Sequence, residues 1–298
     1  MQHGVVAWIE ILEPGVSRGV VQLSAYIDQL IASLLPNGMV SAVFYATTIS
    51  YTPVSVFGIS VSATELTEMS GTLGDDATRF PKLRQRLDAA LRQIAFFVVP
   101  SAMALAALGD VMAEALLQYR HFTASDTRYV WSILAGSAIG LLASTMGRLY
   151  SSTYYALNDT RTPLNFALIR VGLTTALGFL FALWLPKALG IDAHWGAAGL
   201  TASAGIAGWV EFTLLRRALN RRIGVTGLRR GFVATLWGTA AVSAAIAFEG
   251  KLVLRDHGIH GLILGIVVGG AYGVLYILGT YFLGVPEAHG ITRRFLRR

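Results

Sequence analysis

Apolar residues occur in long runs along this chain, and polar residues collect between the runs. Each run is about 20 residues long, the length that an α-helix needs to cross the hydrocarbon core of a bilayer. Eight runs are predicted to span a membrane: 14–35, 39–64, 90–108, 127–157, 163–186, 195–216, 231–249 and 259–284. The pattern therefore predicts an all-α polytopic membrane protein.

Two of the predicted spans carry a polar stripe, which a helix surrounded only by lipid has no reason to have. In the first span, one half of the helix circumference is polar and includes Arg18, Gln22, Asp28 and Gln29. In the second span, a continuous hydroxyl face consists of Ser41, Tyr45, Thr48, Thr52 and Ser55. Matching polar faces on adjacent helices indicate the wall of a hydrated cavity. The alternative is that interhelical hydrogen bonds simply hold the bundle together.

Charged residues inside a span are costly and commonly mark a transport pathway. Asp28 lies deep in the first span, and Arg148 lies two to three turns before the end of the fourth. Both are therefore assigned to the predicted cavity. Arg18 has a second interpretation, in which its head group reaches the membrane interface. Arg170 is interpreted either in the same way or as a partner for Asp159.

The connection between the fourth and fifth spans concentrates polar residues in an otherwise apolar region. It contains Asn158, Asp159 and Arg161, and Pro163 begins the next apolar run. Asp159 and Arg161 lie at the predicted membrane edge, where they are placed to latch neighbouring helix ends. This connection is therefore predicted to be a gate hinge.

The distribution of basic residues predicts which side of the membrane each connection faces. Sixteen lysines and arginines fall in alternate connections, and the opposite connections hold Arg120, Arg128, Lys187, Lys251 and Arg255. Because cytoplasmic loops are enriched in positive charge, the first set and both termini are predicted to be cytoplasmic. This asymmetry also explains the net charge of +7 without a nucleic-acid partner.

The basic segment 71–93 is predicted to be cytoplasmic and amphipathic. Leu83, Leu87 and Leu91 alternate there with charged residues. Such a helix is expected to lie on the anionic membrane surface.

Composition agrees with a membrane protein that is not an enzyme. Charged residues make up 14% of the chain, against about 25% in soluble domains. The chain has no cysteine, which excludes disulfides and thiolate metal sites. It also lacks the phosphate-binding, zinc-protease, serine-hydrolase and paired-carboxylate signatures of common enzymes. A membrane glycosyltransferase or ligase is set aside on this ground.

The run TYYALNDTRTP at 153–163 resembles the signature that follows the tenth span of the MurJ/MviN family. This family belongs to the multidrug/oligosaccharidyl-lipid/polysaccharide exporter superfamily. The stretch 22–46 resembles its seventh span and the start of its eighth, 53–70 resembles another stretch typical of the family, and 196–203 also fits. The resemblance covers essentially the whole chain and corresponds to spans seven to fourteen.

The resemblance implies a six-helix C-terminal lobe over 1–222, followed by two additional helices and a basic tail over 223–298. It implies a flippase of the bacterial inner membrane that moves lipid II, the lipid-linked peptidoglycan precursor, for cell-wall biosynthesis. Expected partners are that precursor, membrane lipids, and a separate N-terminal half or a second copy. No cofactor is expected. A coupling proton or monovalent cation, bound at Asp28, stays open.

Two departures from the family pattern keep other functions open: the chain corresponds to spans seven to fourteen without the first lobe, and residues typical of the family are replaced. Thr47 and Thr48 stand where the family has an acid–arginine pair, and Thr174 and Gly178 stand where members often have asparagine. An arginine binds pyrophosphate through charge-assisted hydrogen bonds, whereas a threonine supplies one hydroxyl. The alternatives are another exporter of the superfamily and a non-transporting membrane scaffold for lipid-linked intermediates.

Overall fold

The computed structural model of the chain describes residues 26–70, 76–117, 124–256 and 260–290. Within these ranges the regular elements are all helical, which confirms the all-α class. The helices are α1 (26–33), α2 (Met39–Pro53), α3 (Ser60–Ser70), α4 (Asp76–Leu117), α5 (Ala124–Ala156), α6 (Arg161–Gly178), α7 (Leu185–Leu189), α8 (Gly196–Ile223), α9 (Arg230–Asp256) and α10 (Gly261–Phe282). The π-helical segments Val54–Ile59 and Phe179–Trp184 join α2 to α3 and α6 to α7, and a 3₁₀ turn, Ala193–Trp195, precedes α8.

Seven helical segments in the described ranges are long and apolar enough to cross a membrane. They are Met39–Met69, Arg79–Leu117, Ser125–Ala156, Arg161–Leu189, Ala193–Ile223, Arg230–Arg255 and Gly261–Phe282. These segments correspond to the second to eighth predicted spans and confirm a polytopic membrane protein. The first predicted span, 14–35, lies mainly outside the described residues, and its part from 26 to 33 is helical.

Helix α5 is the centre of the bundle. In its most apolar stretch 72% of the residues are buried, against 17% in the segment that contains α6. It packs most extensively on α8 and α4. At the crossing with α8, a Cβ added to Gly140 would lie 2.3 Å from Gly205 Cα, so the two backbones touch. Small residues at such a crossing allow close helix packing in a membrane.

Helix α4 differs from the sequence prediction for 71–93. It runs unbroken for 42 residues, through Pro81 and Pro100, so its charged first part continues directly into the next span. Leu83, Leu87 and Leu91 are at most 1% exposed and belong to the protein core. The predicted surface helix on the lipid headgroups is therefore wrong, because these leucines contact protein.

The last two helices, α9 and α10, are anchored on α4 at two levels. Pro100 has no N–H, so the carbonyl of Phe96 lacks its helical partner, and the Tyr276 hydroxyl donates to it at 2.8 Å. The Tyr272 hydroxyl donates in the same way to the Pro100 carbonyl at 2.7 Å. Tyrosines on α10 thus satisfy carbonyls at the proline of α4.

A buried ion pair joins α9 to the far end of α4. Lys251, which is 3% exposed, donates to Asp110 Oδ2 at 2.8 Å. Arg255 pairs with Glu114 and lies 3.8 Å from Asp110 Oδ2. The sequence analysis counted Lys251 and Arg255 only as loop charges. Their acidic partners lie 141 residues earlier in the chain.

Candidate functional site

The hydroxyl face of α2 is open along its length. Tyr45, Thr48 and Thr52 are all exposed, as are Ser41 and Ser55. The hydroxyls donate to carbonyls of their own helical segment: Thr48 to Phe44 at 2.9 Å, Thr52 to Thr48 at 3.3 Å, and Ser55 to Thr52 at 2.9 Å. These bonds do not link α2 to another helix. The described structure therefore offers no support for the interpretation that this face holds the bundle together.

Arg148 is brought next to this face. Its Nη2 donates to the Tyr51 hydroxyl at 2.5 Å, and its guanidinium carbon lies 5.5 Å from the centre of the Tyr51 ring. A guanidinium in such a position is attracted electrostatically by the aromatic ring. Tyr51 is next to Thr52 in sequence and one turn from Thr48. A cation on α5 and the hydroxyls on α2 therefore lie in one region. The sequence analysis assigned both to a cavity but did not predict the contact between Arg148 and Tyr51.

Asp28 on α1 carries an oxygen, Oδ1, that is buried without a hydrogen-bond partner. Arg170 acts on it electrostatically but donates to Glu211 Oε2, at 3.1 Å, and not to Asp159. The interpretation of Arg170 as the partner of Asp159 is thus wrong. Gln29, the neighbour of Asp28, is exposed. Arg18 and Gln22, assigned to the same wall, lie outside the described residues.

A second buried oxygen without a partner belongs to α6. Thr174 Oγ1 on α6 has no hydrogen-bond partner in the described structure. Helices α1 and α6 meet one turn further on, where a Cβ added to Gly178 would lie 3.1 Å from Ile31 Cδ1. Both oxygens are therefore one turn from the same helix contact. The described residues contain no group of three or more histidines and carboxylates that is able to hold a metal ion.

The hinge begins where Asn158 ends α5. Asn158 adopts a left-handed backbone conformation with φ of 57°, which asparagine tolerates better than most residues. Its N–H donates to the Tyr155 carbonyl at 3.0 Å, and the Asp159 N–H donates to the Tyr154 carbonyl at 2.9 Å. This pair of hydrogen bonds is the Schellman termination of a helix.

Asp159 then organises the start of α6. Its Oδ1 accepts from the Thr162 N–H at 3.0 Å, and its Oδ2 accepts from the Thr162 hydroxyl at 2.9 Å. Pro163 lies in the first turn, where a missing N–H leaves no helical bond unmade. Arg161, the first residue of α6, is exposed.

Asp159 also links the hinge to the end of α8. The Arg222 Nη1 donates to Asp159 Oδ2 at 2.5 Å. Burial raises the pKa of Asp159, but hydrogen bonds from Thr162 and Arg222 outweigh it, so the pKa lies below its ordinary value. The sequence analysis identified Asp159 as half of a latch but missed Arg222, which follows it by 63 residues.

Comparison with known proteins shows the family of this chain. The profile of the family described as lipid II flippase MurJ matches residues 4–268. The chain belongs to this family. The resemblance that the motifs indicated is thereby confirmed.

Curated relatives in this family are longer than the chain. A probable lipid II flippase MurJ of Rhizobium tropici is 26% identical over 296 residues, which cover 95% of this chain and 52% of that protein. Its counterpart in Thermotoga maritima is 26% identical over 286 residues, covering 93% and 53%. The chain thus spans about half the length of the curated relatives it matches.

A solved structure shares the fold. The structure titled "Lipid II flippase MurJ, inward closed conformation" superimposes with a TM-score of 0.74 at 20% identity. The match covers 100% of this chain and 57% of that one. The helical arrangement described above is therefore an arrangement that is known for one part of a MurJ structure.

Proposed function

We propose that this chain acts as the C-terminal half of a flippase for lipid II, the lipid-linked peptidoglycan precursor, in the bacterial inner membrane. Membership of the family supports the reaction class. The observation that carries the proposal is the open hydroxyl face of α2 with the Arg148 guanidinium beside it. The hydroxyls of Thr48, Thr52 and Ser55 are satisfied by carbonyls of their own helical segment. The group that requires water, protein or a polar ligand at membrane depth is therefore the charged Arg148, because lipid tails cannot satisfy a charge.

In this proposal the α2 face forms one wall of a cavity for the headgroup. Arg148 binds the pyrophosphate, since guanidinium groups form charge-assisted, bidentate hydrogen bonds with phosphate. Tyr51 holds that guanidinium in place, and Tyr45, Thr48 and Thr52 offer hydroxyls to the sugars. Arg18, Gln22, Asp28 and Gln29 belong to the neighbouring wall on the first span. The lipid tail stays in the membrane.

A second lobe closes the cavity. Transporters of this kind expose their site alternately by moving one lobe against another around it. The partner is a separate N-terminal half or a second copy of this chain. With both termini in the cytoplasm, as the basic residues predict, Asp159 and Arg222 latch helix ends on the cytoplasmic side. Asn158, Arg161 and Pro163 shape that hinge.

Complementation tests the proposal. The chain is co-expressed with the N-terminal lobe of the Rhizobium tropici relative in a strain depleted of its own flippase. We expect growth with the unchanged chain and loss of growth with Arg148→Ala. Arg217→Ala, at an exposed arginine on α8, is the matched control and should grow. Growth of the Arg148→Ala strain, or failure of the unchanged pair to grow when both proteins accumulate, would refute the proposal.

A scaffold that binds lipid-linked intermediates without moving them is the second candidate. It is favoured by the two exposed threonines, Thr47 and Thr48, at the positions of the family's acid–arginine pair. Thr48→Arg restores one charge to the open face. A flippase should then bind or move precursor better, whereas a scaffold that recognises another surface should be indifferent. Another exporter of the superfamily would instead prefer a different headgroup in direct competition with lipid II.

A further inference from the structure

An apolar groove separates two helices that follow one another in the chain. Helix α9 packs on α4 and α10 but hardly touches α8. The space between α8 and α9 is a groove of about 380 Å³, within the range of roughly 300–1,000 Å³ typical of small-molecule sites. Leu91, Leu142 and Met146 form its floor, Phe212 lies on the α8 side, and Ala234 lies on the α9 side.

The end of this groove at the connection between α8 and α9 is held by three hydrogen bonds. The Thr226 hydroxyl donates to Asn220 Oδ1 at 2.6 Å, and the Arg216 Nε donates to the Thr226 carbonyl at 3.1 Å. The next residue, Gly227, donates its N–H to Asp88 Oδ1 at 2.8 Å. The connection between α8 and α9 is therefore fixed in place, and the groove keeps its width at this end.

Two arginines line the groove at that same end. Arg216 uses its Nε for the connection, and Arg230 is exposed and has no ion pair within the described ranges. Asp88 on α4 accepts from Gly227 and also interacts electrostatically with Arg216, so Arg230 is the groove arginine for which the described ranges show no acidic partner. The groove thus combines an apolar body inside the membrane with a cationic mouth at the membrane edge.

We propose that this groove binds an anionic glycerophospholipid, with an acyl chain between α8 and α9 and the phosphate between Arg216 and Arg230. Basic pockets between membrane-spanning helices on the cytoplasmic side are suited to anionic headgroups. A soluble anion would leave the apolar floor of the groove uncovered, so the lining favours a ligand that also has an acyl chain. Filling the gap gives α9 the contact with α8 that it lacks, so the lipid stabilises the attachment of the last two helices.

This site is separate from the proposed headgroup cavity. Met146 precedes Arg148 by two positions on α5, and side chains two positions apart on an α-helix point to nearly opposite sides. The groove therefore lies across α5 from the open face of α2.

Lipid binding to the purified chain tests the proposal. Native mass spectrometry compares phosphatidylglycerol with phosphatidylcholine of the same acyl chains, and thermal unfolding in detergent reports stabilisation. We expect preferential retention of phosphatidylglycerol and a higher Tm with it. Arg230→Gln should weaken phosphatidylglycerol binding about fivefold, as expected for loss of one basic group near the surface. Arg229→Gln, an adjacent exposed arginine that does not line the groove, is the control.

A second pair of variants separates groove binding from surface charge. Ala234→Phe fills the groove and should abolish the stabilisation by phosphatidylglycerol, whereas Val242→Phe, at an exposed position further along α9, should not. Equal losses in Arg230→Gln and Arg229→Gln would show that only surface charge acts and would overturn the proposal. Unchanged binding in Ala234→Phe would do so as well. Displacement of phosphatidylglycerol by an equal concentration of a polyprenyl diphosphate would overturn the assignment to a glycerophospholipid.

Discussion

The two sides of α5 are built in opposite ways. On the side of α5 that faces α8, the two backbones touch at Gly140 and Gly205. On the same side of the bundle, a buried ion pair between Lys251 and Asp110 attaches α9 to α4. Toward α2, a few small and apolar residues are buried, and the Arg148 guanidinium lies on Tyr51 beside the open hydroxyl face. The most apolar stretches of Met39–Met69 and of Arg230–Arg255 are both 28% buried, so the open side is distinguished by the hydroxyls that it exposes and not by the share of exposed residues. The closed side serves folding, and the open side is where we place transport.

The largest effect expected on the closed side comes from Lys251→Met. The substitution leaves Asp110 buried beside a more distant Arg255, and breaking a buried ion pair costs about 3–5 kcal/mol. Thermal unfolding in detergent should show a clearly lowered Tm. Adding Asp110→Asn to the same chain should restore most of the loss. A single variant as stable as the unchanged chain would show that the pair does not hold α9.

The helix crossing on the closed side gives the next largest effect. Gly140→Ala places a methyl group against Gly205 and should lower the free energy of unfolding by about 1–3 kcal/mol, the usual cost of overpacking. Gly147→Ala, on the same helix, meets nothing within 4 Å. It should be neutral or stabilise by up to about 1 kcal/mol, because alanine favours helix. Equal effects of the two variants would mean that α5 and α8 are not in backbone contact.

The apolar runs predicted the spans well because the polarity of a residue in a membrane helix depends on its immediate surroundings. It failed where the partner is distant in the chain. The charges in 71–93 indicated a separate surface helix, yet Leu83, Leu87 and Leu91 pack into the core. Asp159 was recognised as half of a latch, but nothing local singles out Arg222 among the basic residues near the end of α8. The Phe96 carbonyl is satisfied by Tyr276, 180 residues away. Such pairings become visible only when the helices are assembled.

On the open side, Arg148 is expected to affect binding more than folding. Arg148→Ala should weaken lipid II binding roughly 10- to 100-fold, because hydrogen bonds to charged groups contribute about 1.5–3 kcal/mol. Arg148→Lys should recover part of the affinity, since lysine keeps the charge but loses the planar fork. Stability should change little in either variant. Binding assays on purified protein in detergent measure the affinity for lipid II. Loss of folding in both variants would mean that Arg148 serves folding, as the residues on the closed side of α5 do.

The smallest effect on stability is expected at the hinge. Asp159→Asn keeps a side chain that caps α6 but removes the charge facing Arg222, a group that is 52% exposed and screened by solvent. It should cost only about 0.2–1 kcal/mol at neutral pH. Because the pKa of Asp159 is lowered in the folded chain, this stabilisation is present above its unfolded value of about 3.9. It is lost as pH falls through the folded pKa.

Unfolding of the unchanged chain and of Asp159→Asn across acidic pH checks this sign. The two curves should converge below about pH 4. A difference that grows on acidification would mean that Asp159 is stabilised in its protonated form, which contradicts the hydrogen bonds from Thr162 and Arg222.

Labelling of α2 tests most directly whether its open face lines a hydrated headgroup cavity. The chain contains no cysteine, so a single Thr48→Cys substitution supplies a unique probe. In cells that also express the N-terminal lobe, we expect a membrane-impermeant maleimide to label Thr48→Cys, and accumulated lipid II to protect it. Val242→Cys, exposed on α9 but facing lipid, should not be labelled. If Thr48→Cys is as unreactive as Val242→Cys, the α2 face does not meet water, and the cavity assigned to it is wrong.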